Sequence, residues 1–170
     1  MNYGESMKKK IAIIESERLL LRGIEEADAE TIVRWRSDPQ VYQYFKNPHE
    51  ITIEEHLNWF KNSYNENKDR YDWMGIEKRT NKKIGVFGLY REKTKAEVNY
   101  LVAPDAQQKG FATEAIKQLI SFAVSEWGCN EVVAEIHENN LPSLKLIEKL
   151  CFQLVSYKKP FALYRIKVNA

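Results

Sequence analysis

The segment spanning residues 102–115, VAPDAQQKGFATEA, places the strongest constraint on how this chain folds. It joins a strand predicted over residues 96–102 to a helix predicted over residues 110–127. Pro104 has no amide proton and ends the strand, while Gly110 lets the backbone bend sharply and approach a ligand closely. The first amides of a helix have no intrahelical acceptor and lie at the positive end of its dipole. The segment therefore predicts an anion site, for which phosphate is the usual ligand.

The loop within this segment supplies the candidate phosphate-binding groups. Lys109 adds a full positive charge beside the start of the helix. The other candidates are residues whose backbone amides are expected to face outward: Gln107, Gln108, Gly110, Phe111, Ala112 and Thr113. Neither the P-loop pattern nor the glycine pattern of dinucleotide-binding folds occurs here. A glycine between a strand and a helix is by itself equally compatible with an ordinary turn.

The spacing Gln107-x-x-Gly110-x-Ala112 resembles the Gln/Arg-x-x-Gly-x-Gly/Ala loop of the GNAT acetyltransferases, which binds the pyrophosphate of coenzyme A. Two further segments resemble that family, in the order that it requires. Residues 96–100 are similar to its fourth strand, and Asn140-x-x-Ser143 with residues 147–152 is similar to its fourth helix. The resemblance implies an enzyme that takes acetyl-CoA as cosubstrate. The acetyl group would pass to a primary amine by direct attack on the thioester.

The chain as a whole predicts one α/β domain. Its 170 residues fit a single hydrophobic core. The predicted elements follow the order β-α-α-β-β-β-α-β-α-β-β, which is the GNAT order. The element order and the family resemblance both predict a mixed, mostly antiparallel central sheet flanked by helices. We expect residues 1–10 to form a flexible N-terminal extension and residues 11–170 to form the domain.

Composition argues against several other classes of protein. A net charge of +2, from 26 basic and 24 acidic side chains, argues against a nucleic-acid-binding protein. Cys129 and Cys151 lack metal-ligand spacing, so we expect neither a disulfide framework nor a metal site. No apolar run approaches membrane-spanning length and no hydrophobic signal core precedes the domain, which predicts a cytoplasmic protein without a membrane partner. A monomer and a homodimer are both compatible with the sequence.

Local patterns also predict the ends of individual elements. Residues 11–14 and 18–24 are rich in leucine and β-branched residues and predict one first strand with a kink. Thr52 and Glu55 have the spacing of a capping box and predict the start of a helix. Gly128 predicts the end of the helix that begins near residue 110.

Glu97 is the candidate general base. A lysine-like amine has a pKa of about 10.4 and is almost wholly protonated at neutral pH, so it needs a base or a dry pocket before it can attack. Several GNAT members place a base at the position of Glu97, and its neighbours Ala96 and Val98 are expected to face the other side of the sheet. A solvated strand glutamate paired with a lysine is an equally supported interpretation.

Asn140 and Ser143 are further candidates at the start of the predicted fourth helix. The resemblance implies that Asn140 contacts the pantetheine arm and that Val102 presents its backbone to it, although Asn140 is also a good N-cap. Many family members have a tyrosine at the position of Ile147, where it protonates the leaving thiolate. With isoleucine there, Ser143 is the nearest substitute. Another tyrosine or water remains an alternative.

Three segments resemble particular branches of the family. Residues 17–22 resemble the opening of Rim-type enzymes, which acetylate the N-termini of ribosomal proteins. Residues 35–39, WRSDP, resemble the Trp-Arg-Asn-x-Pro segment of Rim-type enzymes and nucleotide-aminosugar acetyltransferases. Residues 51–59 resemble the Ser-x-Glu-Glu-His-Leu segment of the latter group.

The acceptor pocket is the least determined part of the sequence. Aromatic and histidine side chains in the relevant elements are candidates, each with the alternative of belonging to the core or rim: Trp35, Tyr44, His56 and Trp73. A small-molecule amine such as a nucleotide-linked aminosugar is slightly favoured as acceptor. A protein N-terminus and a polyamine or antibiotic amine are the alternatives. A non-catalytic regulatory module that binds CoA remains a third kind of function.

Overall fold

The structure is a computed structural model that describes residues 9–168. The proposed N-terminal extension lies mostly outside the described residues. Within them the strands β1 to β8 are Ile14–Glu15, Leu19–Gly23, Arg70–Glu77, Lys82–Glu92, Lys95–Val102, Glu131–His137, Gln153–Lys158 and Phe161–Lys167. The helices α1 to α5 are Ala29–Arg36, Pro39–Tyr42, Ile53–Trp59, Phe111–Ser125 and Leu141–Lys149. A π-helical turn, Phe60–Tyr64, continues α3.

The strands form one sheet in the order β1-β2-β3-β4-β5-β6-β8-β7. Every neighbouring pair is antiparallel except β5 and β6, which are parallel. A parallel pair needs a crossover, and here the connection runs through α4. The prediction of an α/β fold with a mixed, mostly antiparallel sheet is therefore confirmed.

The start of the domain differs from its prediction. Instead of one kinked strand, β1 and β2 form an antiparallel hairpin in which Ile14 pairs with Leu21 and Glu15 pairs with Leu20. The reversal occurs at a tight turn, where the Ser16 amide donates to the Leu19 carbonyl at 2.9 Å. A hydrophobic pattern identifies extended chain on either side of such a turn but does not show that the chain reverses between them.

The predicted helix caps are present. Thr52 and Glu55 form a reciprocal capping box at the start of α3. Gly128 follows α4 in the left-handed region at φ 64°, where it donates to the Val124 carbonyl. These features need only neighbouring residues, which is why local sequence patterns predict them.

The two faces of the sheet carry different helices and different chemistry. One face packs against α4, as shown by the edge-to-face contact of Trp73 with Phe122 at 5.1 Å between ring centroids. The other face carries a row formed by Asp72, Gly88 and Asn99, which are in register across β3, β4 and β5. A Cβ atom at Gly88 would overlap the carboxylate of Asp72 and the amide of Asn99, so the glycine makes room for both side chains.

Across residues 9–168, no helix combines the length and the apolar character that crossing a membrane requires. The same residues contain no cluster of three or more histidine, cysteine, aspartate or glutamate side chains arranged to hold a metal ion.

Candidate active site

The parallel strands β5 and β6 separate part-way along their length. They pair only at Lys95 with Glu131, Ala96 with Val132 and Glu97 with Val133, although both strands continue beyond these positions. The separation opens a cleft of about 860 Å³, lined by the later residues of both strands and by the starts of α4 and α5. From residue 98 onward, the β5 edge that faces β6 therefore has backbone groups available to a ligand.

The predicted phosphate loop lines one end of this cleft. Gly110 precedes α4 in the left-handed region at φ 79°, and Gln108 also has a positive φ of 61°. The amides of Phe111, Ala112 and Thr113 lie in the first helical turn, where no intrahelical acceptor exists. The loop thus presents several backbone donors at the positive end of a 15-residue helix.

Two side chains of the loop have different surroundings. The Gln107 side-chain amide donates to the Val102 carbonyl at 3.3 Å, which folds the loop back onto the end of β5. Lys109 is exposed and lines the cleft, so its charge is free to face an incoming anion.

Arg18, to which the sequence assigned no individual role, holds the loop from the other side. Its guanidinium donates to the Lys109 carbonyl at 2.9 Å and to Glu114 at 2.8 Å. It also lies 4.6 Å from the centre of the Phe111 ring. No local pattern around Arg18 indicates its contact with Glu114, which lies 96 positions later in the chain.

Glu97 lies at the point where β5 and β6 part, and its half-buried side chain lines the cleft. Burial raises the pKa of this carboxyl above its usual range, and the nearby negative charge of Glu135 raises it further. Lys46 opposes both effects, but it is paired with Glu135 at 2.7 Å. A carboxylate with a raised pKa is a stronger base than an exposed one.

The start of α5 lies on the opposite wall. The Asn140 side chain caps the helix by accepting from the Ser143 amide at 3.4 Å. The Tyr100 hydroxyl is buried and approaches Ser143 without normal hydrogen-bond geometry. Burial raises the pKa of Tyr100 to about 12, an effect partly offset by Ser143, so the hydroxyl keeps its proton at neutral pH. Ile147 is fully buried in the core.

The four predicted acceptor-binding residues have three kinds of location. Tyr44 lines the main cleft, with its ring centroid 5.6 Å from that of His137. Trp35 is buried in the core, as is Trp73, whose indole donates to the Ala12 carbonyl at 2.8 Å. Neither tryptophan lines the main cleft. His56 lies in a second cavity.

The second cavity has a volume of about 170 Å³ and adjoins the cleft, with which it shares Phe45, Asn99, Tyr100 and Leu101. Its polar lining comes from α1, α3 and β3: Arg36, His56, Arg70 and Asp72. Of these, only His56 was named as an acceptor-binding candidate from the sequence. The arginines and Asp72 belong to elements far apart in sequence, and no local motif groups them.

With this geometry established, comparison with known proteins identifies the family. Residues 18–153 match the model of the acetyltransferase (GNAT) domain. The chain belongs to the GNAT acetyltransferase family. It is 32% identical over 148 residues to an uncharacterised N-acetyltransferase of Bacillus subtilis, YoaA, covering 83% of this chain and 82% of the relative. Acetyl-CoA is therefore its acetyl donor.

Solved GNAT structures have the same fold. A GNAT-family acetyltransferase from Bacillus anthracis superposes with a TM-score of 0.80 at 23% identity, covering 92% of this chain and 98% of that one. Spermidine N-acetyltransferase from Vibrio cholerae, in complex with CoA and spermine, gives a TM-score of 0.76 at 18% identity, covering 88% and 94%. At these identities the likeness establishes the fold and leaves the acceptor open.

Proposed function

We propose that this GNAT enzyme transfers the acetyl group of acetyl-CoA to the primary amine of a small molecule by direct attack on the thioester. The observation that carries the proposal is the cleft between the separated ends of β5 and β6. It has an anion-binding helix start at one end and a half-buried carboxylate, Glu97, where the strands part.

Acetyl-CoA fits the groups along this cleft. The backbone amides of residues 108–113 and the Lys109 ammonium are suited to the phosphates. The unpaired edge of β5, ending at Val102, offers backbone groups to the amides of the pantetheine arm, as an added strand would use them. Asn140 lies on the facing wall and can contact the same arm while it caps α5.

Glu97 is the proposed general base. The acceptor amine loses a proton to this carboxylate, directly or through one water, and the neutral nitrogen attacks the thioester carbonyl. The carbon–sulfur bond then breaks and the thiolate leaves, and the nitrogen gives up a second proton, which the thiolate takes up to form the CoA thiol. Burial of Glu97 and the charge of Glu135 favour proton uptake by this carboxylate, because both raise its pKa.

Ser143 is proposed to support the departing thiolate, with the Tyr100 hydroxyl as its partner. Ile147 cannot donate a proton, whereas Tyr100 remains protonated at neutral pH and its hydroxyl lies near Ser143. A thiol pKa of about 8.5 makes the thiolate a tolerable leaving group, so a modest donor suffices.

We infer a small-molecule acceptor, with a nucleotide-linked aminosugar as a member of that class, from the segment resemblance at residues 51–59. The small cavity beside the cleft, of about 170 Å³, supports a compact acceptor. The resemblance of residues 17–22 and 35–39 to the Rim-type branch favours a protein N-terminus instead. The Vibrio cholerae neighbour acts on spermidine, which makes polyamines a third class to test.

The proposal is tested by following thiol release from acetyl-CoA with the full chain and a panel of amines. The panel contains UDP-linked aminosugars, amino acids, aminosugar phosphates, spermidine and peptides with free N-termini. We expect turnover with small molecules and little with peptides. Turnover with peptides alone would indicate that the acceptor is a protein N-terminus. CoA binding without turnover on any amine would indicate a regulatory module.

A further inference from the structure

The second cavity contains more positive than negative charge. Arg70 forms an ion pair with Asp72, with 3.0 Å between Nε and Oδ2, so these two charges offset each other. Arg36 also lines the cavity, and its guanidinium lies 5.5 Å from the centre of the Phe45 ring. Among residues 9–168, Arg36 has no carboxylate within ion-pair distance. The Asp72 carboxylate opposes the other effects on the pKa of Arg36, but it is already paired with Arg70.

Arg36 is partly buried, which makes the lack of an ion pair significant. Desolvation lowers the pKa of Arg36 from its usual value, and the charge of Arg70 acts in the same direction. A guanidinium in such surroundings still remains protonated at neutral pH. Because a charge removed from part of its water is stabilised by a close partner, an arginine that lines a cavity without an ion pair is suited to bind an anionic group of a ligand.

Two other side chains in the cavity have buried polar atoms without a hydrogen-bond partner among the described residues. Neither ring nitrogen of His56 makes a hydrogen bond, although the residue is only 2% exposed. The Oδ1 atom of Asp72 is also without a partner, in a residue that is 2% exposed. Burial lowers the pKa of His56, with Arg36 contributing, which leaves a neutral imidazole able to donate one hydrogen bond. Buried polar atoms of this kind are normally satisfied, so a polar ligand is expected.

We propose that the acceptor amine belongs to a small molecule that also carries a carboxylate or phosphate group, and that Arg36 with His56 binds this anionic group in the second cavity. This inference rests on the proposed acetyltransferase function and names the class of acceptor. The planar guanidinium matches either oxyanion with two parallel hydrogen bonds. Asp72, already paired with Arg70, remains to accept a hydrogen bond from a hydroxyl or amine of the same molecule.

The position of the cavity suits such a molecule. It opens toward the cleft beside Asn99, which lies on the same strand and the same face as Glu97, two residues along. Two residues of extended strand span about 6.8 Å. The amine of an acceptor bound in the cavity therefore has about this distance to cover beyond Asn99 to reach the proposed base.

A polyamine is disfavoured by the same charges. Its second cationic group would enter a cavity that contains two arginines and one carboxylate, and that carboxylate is already paired. Lys9 adds further positive charge near Asp72. The electrostatic preference is thus for an anionic tail on the acceptor.

Matched acceptor pairs test this directly. We compare kcat/KM for ω-amino acids with their carboxamides, for aminosugar phosphates with the unphosphorylated aminosugars, and for spermidine. The anionic member of at least one pair should be preferred, and the pair that shows the preference distinguishes carboxylate from phosphate. A preference for neutral amines or spermidine would overturn the inference while leaving acetyl transfer intact.

The variant Arg36→Gln should reduce kcat/KM for the preferred anionic acceptor by about 10- to 100-fold, as expected for loss of a charge-assisted contact. For the neutral acceptor of the same pair, Arg36→Gln should change kcat/KM by less than about threefold, because that acceptor makes no ionic contact with Arg36. Arg36→Lys keeps the positive charge but cannot form two parallel hydrogen bonds. Its kcat/KM for the anionic acceptor should therefore lie between the values of the parent and of Arg36→Gln. Arg79→Gln is the control, since Arg79 is 85% exposed on a hairpin turn.

Acetyl-CoA affinity of each variant, measured by titration, shows that the protein is folded. Equal losses for both members of a pair would make Arg36 a structural residue and overturn the inference. If no amine is acetylated, the proposed function fails. Titration of the CoA-bound protein with an ω-amino acid then tests the anion site alone. If the parent does not bind the amino acid, or if Arg36→Gln binds it equally well, the proposed anion site is overturned as well.

Discussion

Arg18, immediately before β2, and Glu114, in the first turn of α4, are joined by a salt bridge of 2.8 Å between Nε and Oε1. Glu114 also accepts from the Arg18 amide at 2.9 Å and from the Ser16 hydroxyl. A carboxylate beside a phosphate-binding helix start would repel the ligand if it were left unpaired. Arg18 offsets that charge and fixes the loop through the Lys109 carbonyl.

Replacing Arg18 with alanine should weaken CoA binding by about three- to tenfold, because the loop loses a restraint and Glu114 loses its counterion. The salt bridge is partly exposed, so the effect is smaller than for a buried pair. Isothermal titration with CoA measures it. Arg91→Ala removes a comparable surface ion pair with Asp69, away from the cleft, and should leave the affinity unchanged. Equal affinities in both variants would show that Arg18 does not organise the loop.

Gly110→Asp should abolish measurable CoA binding, because it adds a negative charge at the proposed phosphate-binding loop. The matched control is Gly128→Asp, since both glycines have positive φ and each substitution costs about 1–2 kcal/mol of backbone strain. An added Cβ at Gly128 meets nothing within 4 Å, and this residue follows the opposite end of α4. Both variants should lose similar stability on thermal unfolding. A folded Gly110→Asp protein that binds CoA normally would remove the loop from the cofactor site.

Ser143→Ala and Tyr100→Phe should each lower kcat more than they weaken CoA binding, if these hydroxyls support the thiolate. The Tyr100 hydroxyl is buried without a normal hydrogen bond, so its removal should leave stability unchanged or slightly raised. Single-turnover kinetics alongside CoA titration separates the two effects. Parallel losses in rate and affinity would assign Ser143 to helix capping or cofactor binding instead.

Glu97→Gln should reduce the rate by about 10²- to 10⁴-fold at neutral pH, with acetyl-CoA affinity retained. The deficit should narrow as pH rises, because alkaline solution supplies more neutral amine. The pKa of Glu97 is raised, so the parent rate should fall as pH drops through that pKa and the base becomes protonated. Glu135→Gln removes one cause of the raised pKa of Glu97. The fall in rate at acidic pH should therefore move to lower pH in this variant. Superimposable pH–rate profiles for Glu97→Gln and the parent would make Glu97 an ordinary strand residue.

Asp28 should contribute stability that depends on pH. Burial alone would raise its pKa, but hydrogen bonds from Arg22 at 2.7 and 2.9 Å and an ion pair with Lys83 lower that pKa to about 2. A carboxyl with a depressed folded pKa stabilises the fold above its unfolded pKa, and the stabilisation is lost as pH falls through the folded value. The contribution is about 2–3 kcal/mol near neutrality.

Urea unfolding of the parent and Asp28→Asn measures this contribution. The difference in free energy of unfolding between the parent and Asp28→Asn should be largest at pH 6 and should shrink steadily between about pH 4 and pH 2. Glu30→Gln, on the exposed side of α1, is the control and should show little difference at either pH. A difference between Asp28→Asn and parent that does not depend on pH would rule out the ionic explanation.

Local sequence patterns predicted much of the fold. The capping box of Thr52 and Glu55 and the left-handed turns at Gly110 and Gly128 depend on residues within a few positions of one another. The hairpin of β1 and β2 was wrongly predicted as one strand because its two halves have the same composition. The loop of residues 107–113 could be predicted as a phosphate site because its signal lies in one continuous segment.

The sequence by itself thus determined most of the elements, though not the hairpin of β1 and β2, and the loop at the start of α4, because backbone geometry is governed by neighbouring residues. Only the tertiary structure decided where β5 leaves β6, that Arg18 restrains the loop, and that Trp73 is buried while Tyr44 lines the cleft. It also decided that Arg70 pairs with Asp72, leaving Arg36 unpaired. Charge pairing and burial depend on contacts between residues far apart in the chain, and no local pattern encodes which contacts form.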